Sequence, residues 1–128
     1  MINTSYNQEE NIVHMARTGE IHIAELFSQV QETVSNYKDL KCLYILDDSR
    51  SSTPHFSSRD YPDLGKQIRK GLEHFVEVRH AILVASPMNT ALGVLFEGIA
   101  GEIPCYSFKT FFSEEDAKEW LKEGIQCP

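Results

Sequence analysis

The chain has 128 residues, a net charge of −7, 41% hydrophobic residues and 24% charged residues. That suits one folded core burying about two-thirds of the surface of the unfolded chain, and it lies far from the composition that keeps a chain disordered. The acidic balance argues against a general affinity for nucleic acid or anionic lipid, because both are held by basic faces that neutralise phosphate.

No run approaches the roughly 18 apolar residues of a membrane-spanning helix, and residues 1–11 lack the positive and apolar regions of a secretion signal. The expectation is therefore a single domain over residues 1–128 in the cytoplasm. Cys42, Cys105 and Cys127 show no CxxC spacing. The first two sit in apolar runs, where a thiol acts as a small hydrophobe, and a reducing compartment fits.

In chain order, Ile2 to Asn7 and Asn11 to Arg17 read as two strands of an antiparallel hairpin joined by a polar turn. Thr18-Gly19 reads as a turn. Ile23, Phe27, Val30, Val34 and Tyr37 then recur at helical spacing and predict one buried stripe. Cys42 to Leu46 and Ala81 to Ala85 are short and continuously apolar, the pattern of strands covered on both faces, and are expected side by side at the centre of a sheet. Residues 49–62 read as a long polar loop. Tyr61, Leu64, Ile68, Leu72 and Phe75 predict a second helical stripe, with Pro62 near its start.

Ser86-Pro87 has the form of an N-cap followed by a first-turn proline, so a third helix should begin there. Cys105 to Phe108 gives a short strand. Ser113 with the acidic residues Glu114 to Asp116 opens a last helix whose stripe is Ala117, Trp120, Leu121 and Ile125. Strands alternating with helices need right-handed crossovers, which generate parallel pairing. The expected fold is α/β: a mixed sheet of four to five strands with about four helices, in the order β-(β)-α-β-α-β-α-β-α.

This order resembles the STAS domains of anti-sigma-factor antagonists, and more closely the SpoIIAA-like set of small bacterial proteins. The resemblance spans nearly the whole chain. It rests on Thr18-Gly19-Glu20-Ile21, on the strand ending Leu46-Asp47-Asp48, on Arg79 to Val84, and on Phe108 with Glu114 to Leu121. It implies the mixed sheet described above, a non-catalytic regulatory or protein-interaction role, and a more distant kinship with CRAL-TRIO lipid-transfer domains. In phosphorylatable members an Asp-Ser-Ser-Gly motif carries the phosphoacceptor serine. The comparable segment here is His55-Phe56-Ser57-Ser58-Arg59, so Ser57 and Ser58 are the matching hydroxyls, with Phe56 in place of the aspartate and Arg59 in place of the glycine.

Three surfaces carry alternatives. Ser57 and Ser58 are either phosphoacceptors near a helix start, with Arg59 as a charge partner, or ordinary loop and cap serines. Leu92, Val94, Leu95, Phe96 and Ile99 cannot share one narrow stripe, so the third helix either offers a homodimer or apolar-ligand surface or is buried on several sides. Arg59, Lys66, Arg69 and Lys70 form either a docking face for a protein partner or the solvated side of an amphipathic helix.

The five histidines show no ligand spacing, and neither a metal nor a cofactor is expected. No GxSxG, P-loop or GxGxxG motif is present, so catalysis by Asp47, Asp48 or Cys105 is a remote alternative. Asp47 and Asp48, adjacent on a strand, should face opposite ways and serve in capping and loop hydrogen bonds. A small carrier or sensor of an apolar, lipid-like ligand is the main alternative to the interaction module.

Overall fold

Ile2–Asn7 (β1) and Ile12–His22 (β2) form the expected antiparallel hairpin, from Ile2 opposite Arg17 to Asn7 opposite Ile12. The computed structural model describes residues 1–125 and 127. After the hairpin come α1 (Ile23–Asn36), β3 (Cys42–His55), α2 (Tyr61–Gly71), β4 (Glu77–Leu83), α3 (Pro87–Ala100), β5 (Tyr106–Phe111) and α4 (Glu114–Lys122). A 3₁₀ turn at Ser58–Asp60 leads into α2. The strands make one sheet in the order β1-β2-β3-β4-β5, antiparallel between β1 and β2 and parallel from β2 onward. The two apolar runs read as central strands do lie side by side, with Leu43 opposite Val78 and Leu46 opposite Ala81.

Strand ends correct the sequence reading in one region. β2 continues through Thr18-Gly19, which reads as a turn, and β3 continues through Arg50 to His55, which reads as loop. The extensions pair with each other, from Thr18 opposite Ser51 to His22 opposite His55. They form a ribbon that projects past the end of β4, so their polar composition reflects exposure rather than irregular backbone. The register shifts between Ala16 and Thr18, where β3 takes three steps, Asp48 to Ser51, against two in β2. Pro54 is tolerated on β3 because β4 no longer flanks it there. β5 begins one residue later than expected and runs to Phe111; Cys105 precedes it with φ 63°.

Each connection moves the chain one strand across in the same direction, and a constant crossover hand lays α1, α2 and α3 on one face. Their core includes Val13, Met15, Leu43, Ile45, Val78 and Phe96 with the expected α2 residues Tyr61, Leu64 and Ile68; Leu72 and Phe75, read as the end of that stripe, are buried beyond the helix, which stops at Gly71. On α1 the buried residues are Leu26, Gln29 and Thr33, while the expected Ile23, Phe27, Val30, Val34 and Tyr37 pack partly buried around them. Caps follow the sequence: Ser86 Oγ accepts from Asn89 N at 3.1 Å, and Ser113 Oγ from Asp116 N at 3.2 Å. α3 lies close on β5 because Gly93 has no side chain; a Cβ there would stand 2.8 Å from Thr110 Oγ1. One turn on, the Glu97 carboxylate accepts from Thr110 N at 3.1 Å.

The opposite face is covered by α4, whose Ala117 and Leu121 pack on Ile12, Tyr44, Leu46, Ala81 and Leu83. Cys42, at the head of β3 on this face, forms a disulfide with Cys127, while Cys105 is free and exposed. The pairing corrects the expectation of unpaired thiols; 85 residues of separation hide it from sequence spacing. Ile125 is also corrected. α4 ends at Lys122, and Ile125 is exposed beyond it rather than part of the buried stripe. Among the described residues no helix is long and apolar enough to cross a membrane.

The difference between the two ends of that stripe is measurable. Leu121→Ala removes a fully buried side chain and should cost about 3 kcal/mol in urea unfolding, whereas Ile125→Ala should stay within about 0.5 kcal/mol of the parent. Equal losses would contradict the placement of α4.

Candidate functional site

On the face covered by three helices, strand alternation sends apolar side chains inward at nearly every second position. Among the polar exceptions, four form a connected set with one member on each parallel strand: Arg17 on β2, Asp47 on β3, His80 on β4 and Tyr106 on β5. Their registers make them a diagonal row. Tyr106 pairs with Val78, two residues before His80; His80 pairs with Ile45, two before Asp47; and Asp47 pairs with Met15, two before Arg17.

The row is hydrogen-bonded throughout. Arg17 Nε donates to Asp47 Oδ1 at 3.0 Å and Nη2 to Oδ2 at 2.7 Å, the forked geometry that suits guanidinium and carboxylate. His80 Nε2 lies 2.8 Å from Asp47 Oδ2, and Nδ1 lies 2.9 Å from Tyr106 Oη. Asp47 can only accept, so Nε2 carries a proton; in the neutral ring Nδ1 then accepts from the Tyr106 hydroxyl. Asp47 is 1% exposed. Burial alone would raise its pKa, but the Arg17 charge and the His80 hydrogen bond outweigh that and hold the carboxyl well below its usual range. Burial, reinforced by the Asp47 charge, pushes the Tyr106 phenol far above its usual value. Burial likewise takes Tyr61 up to about 12.

Above this row, between the sheet and α1, α2 and α3, lies a cavity of about 110 Å³, partly open to solvent. Its walls are mostly aliphatic and aromatic, with Leu26, Ile45, Leu64, Ile68, Leu92 and Phe96 among them; the floor supplies Arg17, Asp47, His80 and Tyr106, and the helices add Gln29, Thr33, Tyr61 and Asn89. A shallower concavity shares Ile2 and Gln29 with it and is bordered by Glu25 and Glu32.

No protein-family model and no curated protein matches the sequence. Among solved structures the chain is similar to an uncharacterised protein of the DUF3478 family from Shewanella loihica, described as having a SpoIIAA-like fold. The TM-score is 0.61 over 94% of this chain and 92% of that one, at 18% identity. The fold is SpoIIAA-like. That agrees with the family resemblance in the sequence, and at this identity it carries architecture and no residue roles.

Within the SpoIIAA-like frame the residues singled out from sequence fall in three places. Ser57 and Ser58 are exposed ahead of α2; Ser57 Oγ accepts from Arg59 N at 3.3 Å, as the cap of the 3₁₀ turn. Arg59, Lys66, Arg69 and Lys70 are exposed along that turn and α2. The apolar residues of α3 divide: Phe96 is buried and, with Leu92, lines the cavity, Ile99 is half-buried, and Val94 and Leu95 are each 55% exposed. Asp47 and Asp48 do part to opposite faces, but only Asp48 works locally, accepting from Arg50 Nε and Nη2 at 2.9 Å. The expectation that Asp47 serves a cap or loop is corrected, because β3 continues past it and encloses it. Cys105 stands apart from the row. Among the described residues no cluster of His, Cys, Asp and Glu is placed to hold a metal.

Arg17, His80 and Tyr106 were not candidates from sequence. The signal was present as polar residues at the inward parity: Arg17 two after Met15, His80 between Val78 and Ile82, and Tyr106 two before Phe108.

Two outcomes follow from the row. Asp47→Asn leaves Arg17 facing a neutral amide and should destabilise by about 3 kcal/mol, while Arg17→Met with Asp47→Leu should recover part of that loss, His80 Nε2 then lacking its acceptor; denaturant unfolding of both measures it. A depressed folded pKa means the unfolded chain takes up the proton first on acidification. Asp47 therefore contributes its full stability above the unfolded value of about 3.9 and loses it as pH falls below that toward the folded value. Asp47→Asn should make the acid limb of a stability-against-pH curve shallower and leave the neutral plateau flat.

Proposed function

We propose that this chain is a non-catalytic SpoIIAA-like module that binds a small apolar ligand between its sheet and the helices α1, α2 and α3. The observation that carries the reading is the cavity of about 110 Å³, mostly apolar, with a hydrogen-bonded row on its floor and Gln29, Thr33 and Asn89 among its helical lining. Small-molecule sites have this composition, apolar walls with a few placed polar groups. Size selects the ligand. Pockets for drug-sized molecules begin near 300 Å³, and an apolar cavity of about 150 Å³ accepts benzene, so the closed part suits a molecule of about one ring and not a long acyl chain.

The polar row itself does not favour catalysis. Its carboxylate is saturated by Arg17 and His80, and its phenol is held protonated, so it offers neither a free base nor an activated nucleophile at neutral pH. Its role in this reading is to set the shape and polarity of the cavity floor.

Toluene or a similar one-ring probe should raise the melting temperature of the full chain and shift amide resonances around Leu64, Leu92 and Phe96. Leu64→Phe, which fills the space, should abolish both effects while the protein stays folded. A folded variant that binds as the parent does would rule the cavity out.

The exposure of Ser57 and Ser58 beside Arg59 supports a second reading, a protein-interaction module switched by phosphate at the entrance to α2. Phosphate there would add negative charge beside the exposed Arg59, Lys66, Arg69 and Lys70, with a homodimer through Val94 and Leu95 as a further mode of association. Intact-mass measurement of the protein from its own cells should show an added phosphate that is lost in the Ser57→Ala, Ser58→Ala double variant. Its absence under several growth conditions would remove the switch.

A further inference from the structure

We infer that the ligand of this cavity is a neutral one-ring aromatic molecule carrying a single hydrogen-bond acceptor, a carbonyl or an ether-type oxygen, which receives its hydrogen bond from Arg17. The inference rests on the cavity-binding reading above and adds the chemistry of what is bound.

Hydrogen-bonding capacity comes first. Asp47 already accepts from two Arg17 nitrogens and from His80, and His80 and Tyr106 satisfy each other. Arg17 commits Nε–H and one Nη2–H to Asp47, and its remaining three N–H groups have no acceptor among the described residues. Arg17 lines the cavity. The spare N–H groups of the row are thus all on Arg17, and they suit an acceptor on the ligand.

Charge decides which acceptor. The guanidinium is neutralised by Asp47 at 2.7 Å, so a carboxylate brought to it would lose its hydration without gaining a net counter-charge. The adjoining concavity, which shares Ile2 and Gln29 with the cavity, is bordered by Glu32 and by Glu25, which is paired with the N-terminal ammonium at 3.2 Å, and has no cationic side chain among the described residues of its lining for an anion. A neutral oxygen needs no such counter-charge.

Shape supplies the ring. A run of aromatic side chains follows one wall, with ring centroids 6.4 Å apart for Phe56 and Tyr61, and 4.9 Å apart for Tyr61 and Phe96, for Phe96 and Phe108, and for Phe108 and His80. Three of these four contacts are edge-to-face. An aromatic guest can extend such an array with the same geometry, and the volume of about 110 Å³, partly open to solvent, limits it to about one ring.

The test uses the full-length ¹⁵N-labelled chain titrated by NMR with ethylbenzene, acetophenone and benzoate, matched in ring and differing in the acceptor. Acetophenone should bind about tenfold tighter than ethylbenzene, the effect of one hydrogen bond from a charged donor, and benzoate should bind more weakly than acetophenone. The Arg17 Nε resonance should move with acetophenone and not with ethylbenzene. In the Arg17→Met, Asp47→Leu double variant, ethylbenzene should still bind and the preference for acetophenone should vanish. Equal affinity of the parent for ethylbenzene and acetophenone, or benzoate as the tightest of the three, would overturn the inference and leave the cavity-binding reading standing. Failure of all three to bind would overturn both.

Discussion

A carboxylate, Asp47, is held charged inside an apolar layer because a guanidinium and an imidazole from the two neighbouring strands close on it. A bridge of this kind is weak evidence for net stability, since desolvating both ions costs about what their attraction returns. Its firmer consequence is alignment. Arg17, Asp47, His80 and Tyr106 come from four successive strands, each two residues further along than its neighbour. A slip of one residue in any strand would turn that strand's member to the other face and leave Asp47 or Arg17 buried without a partner. The apolar residues alone, mostly Val, Ile and Leu, would discriminate such a slip less sharply.

The same row explains why the two faces of the sheet are filled differently. Beneath α4 the covered strand residues are apolar apart from the Tyr44 hydroxyl: Ile12, Tyr44, Leu46, Ala81 and Leu83 pack with Ala117 and Leu121, and Phe111 and Trp120 lie beside them. On the opposite face three helices must cover a floor with a polar diagonal through it. Over that floor α1 brings Gln29 and Thr33 inward, bonded to each other at 3.1 Å. The space that remains is the cavity.

How far the sequence was legible follows from which signals are local. Continuous apolar runs placed β3 and β4 at the centre, the spacing of Tyr61, Leu64, Ile68 and Leu72 placed α2, and Ser86 and Ser113 marked two helix starts. These features depend on neighbours within a turn or two. The ribbon of β2 and β3 was missed because both partners are polar and only their mutual pairing makes them strands. Asp47 was read as a local capping group because its partners lie 30 and 33 residues away. Cys42 and Cys127 failed to announce themselves for the same reason, since the return of the chain beneath the sheet creates their proximity. The candidate site is wholly of this non-local kind: the exceptions to strand alternation were visible one by one, and only the register shows that they form a line.

The bond between Glu97 and the backbone of Thr110 bears on how this molecule meets others of its kind. β5 is the last strand, and a bare outer edge is where foreign strands add on and sheets grow from one molecule into the next. Here a carboxylate from the domain's own helix already occupies an amide that an incoming strand would need. Addition on that side would have to displace a charged group from its hydrogen bond, so the sheet carries its own stop along this edge.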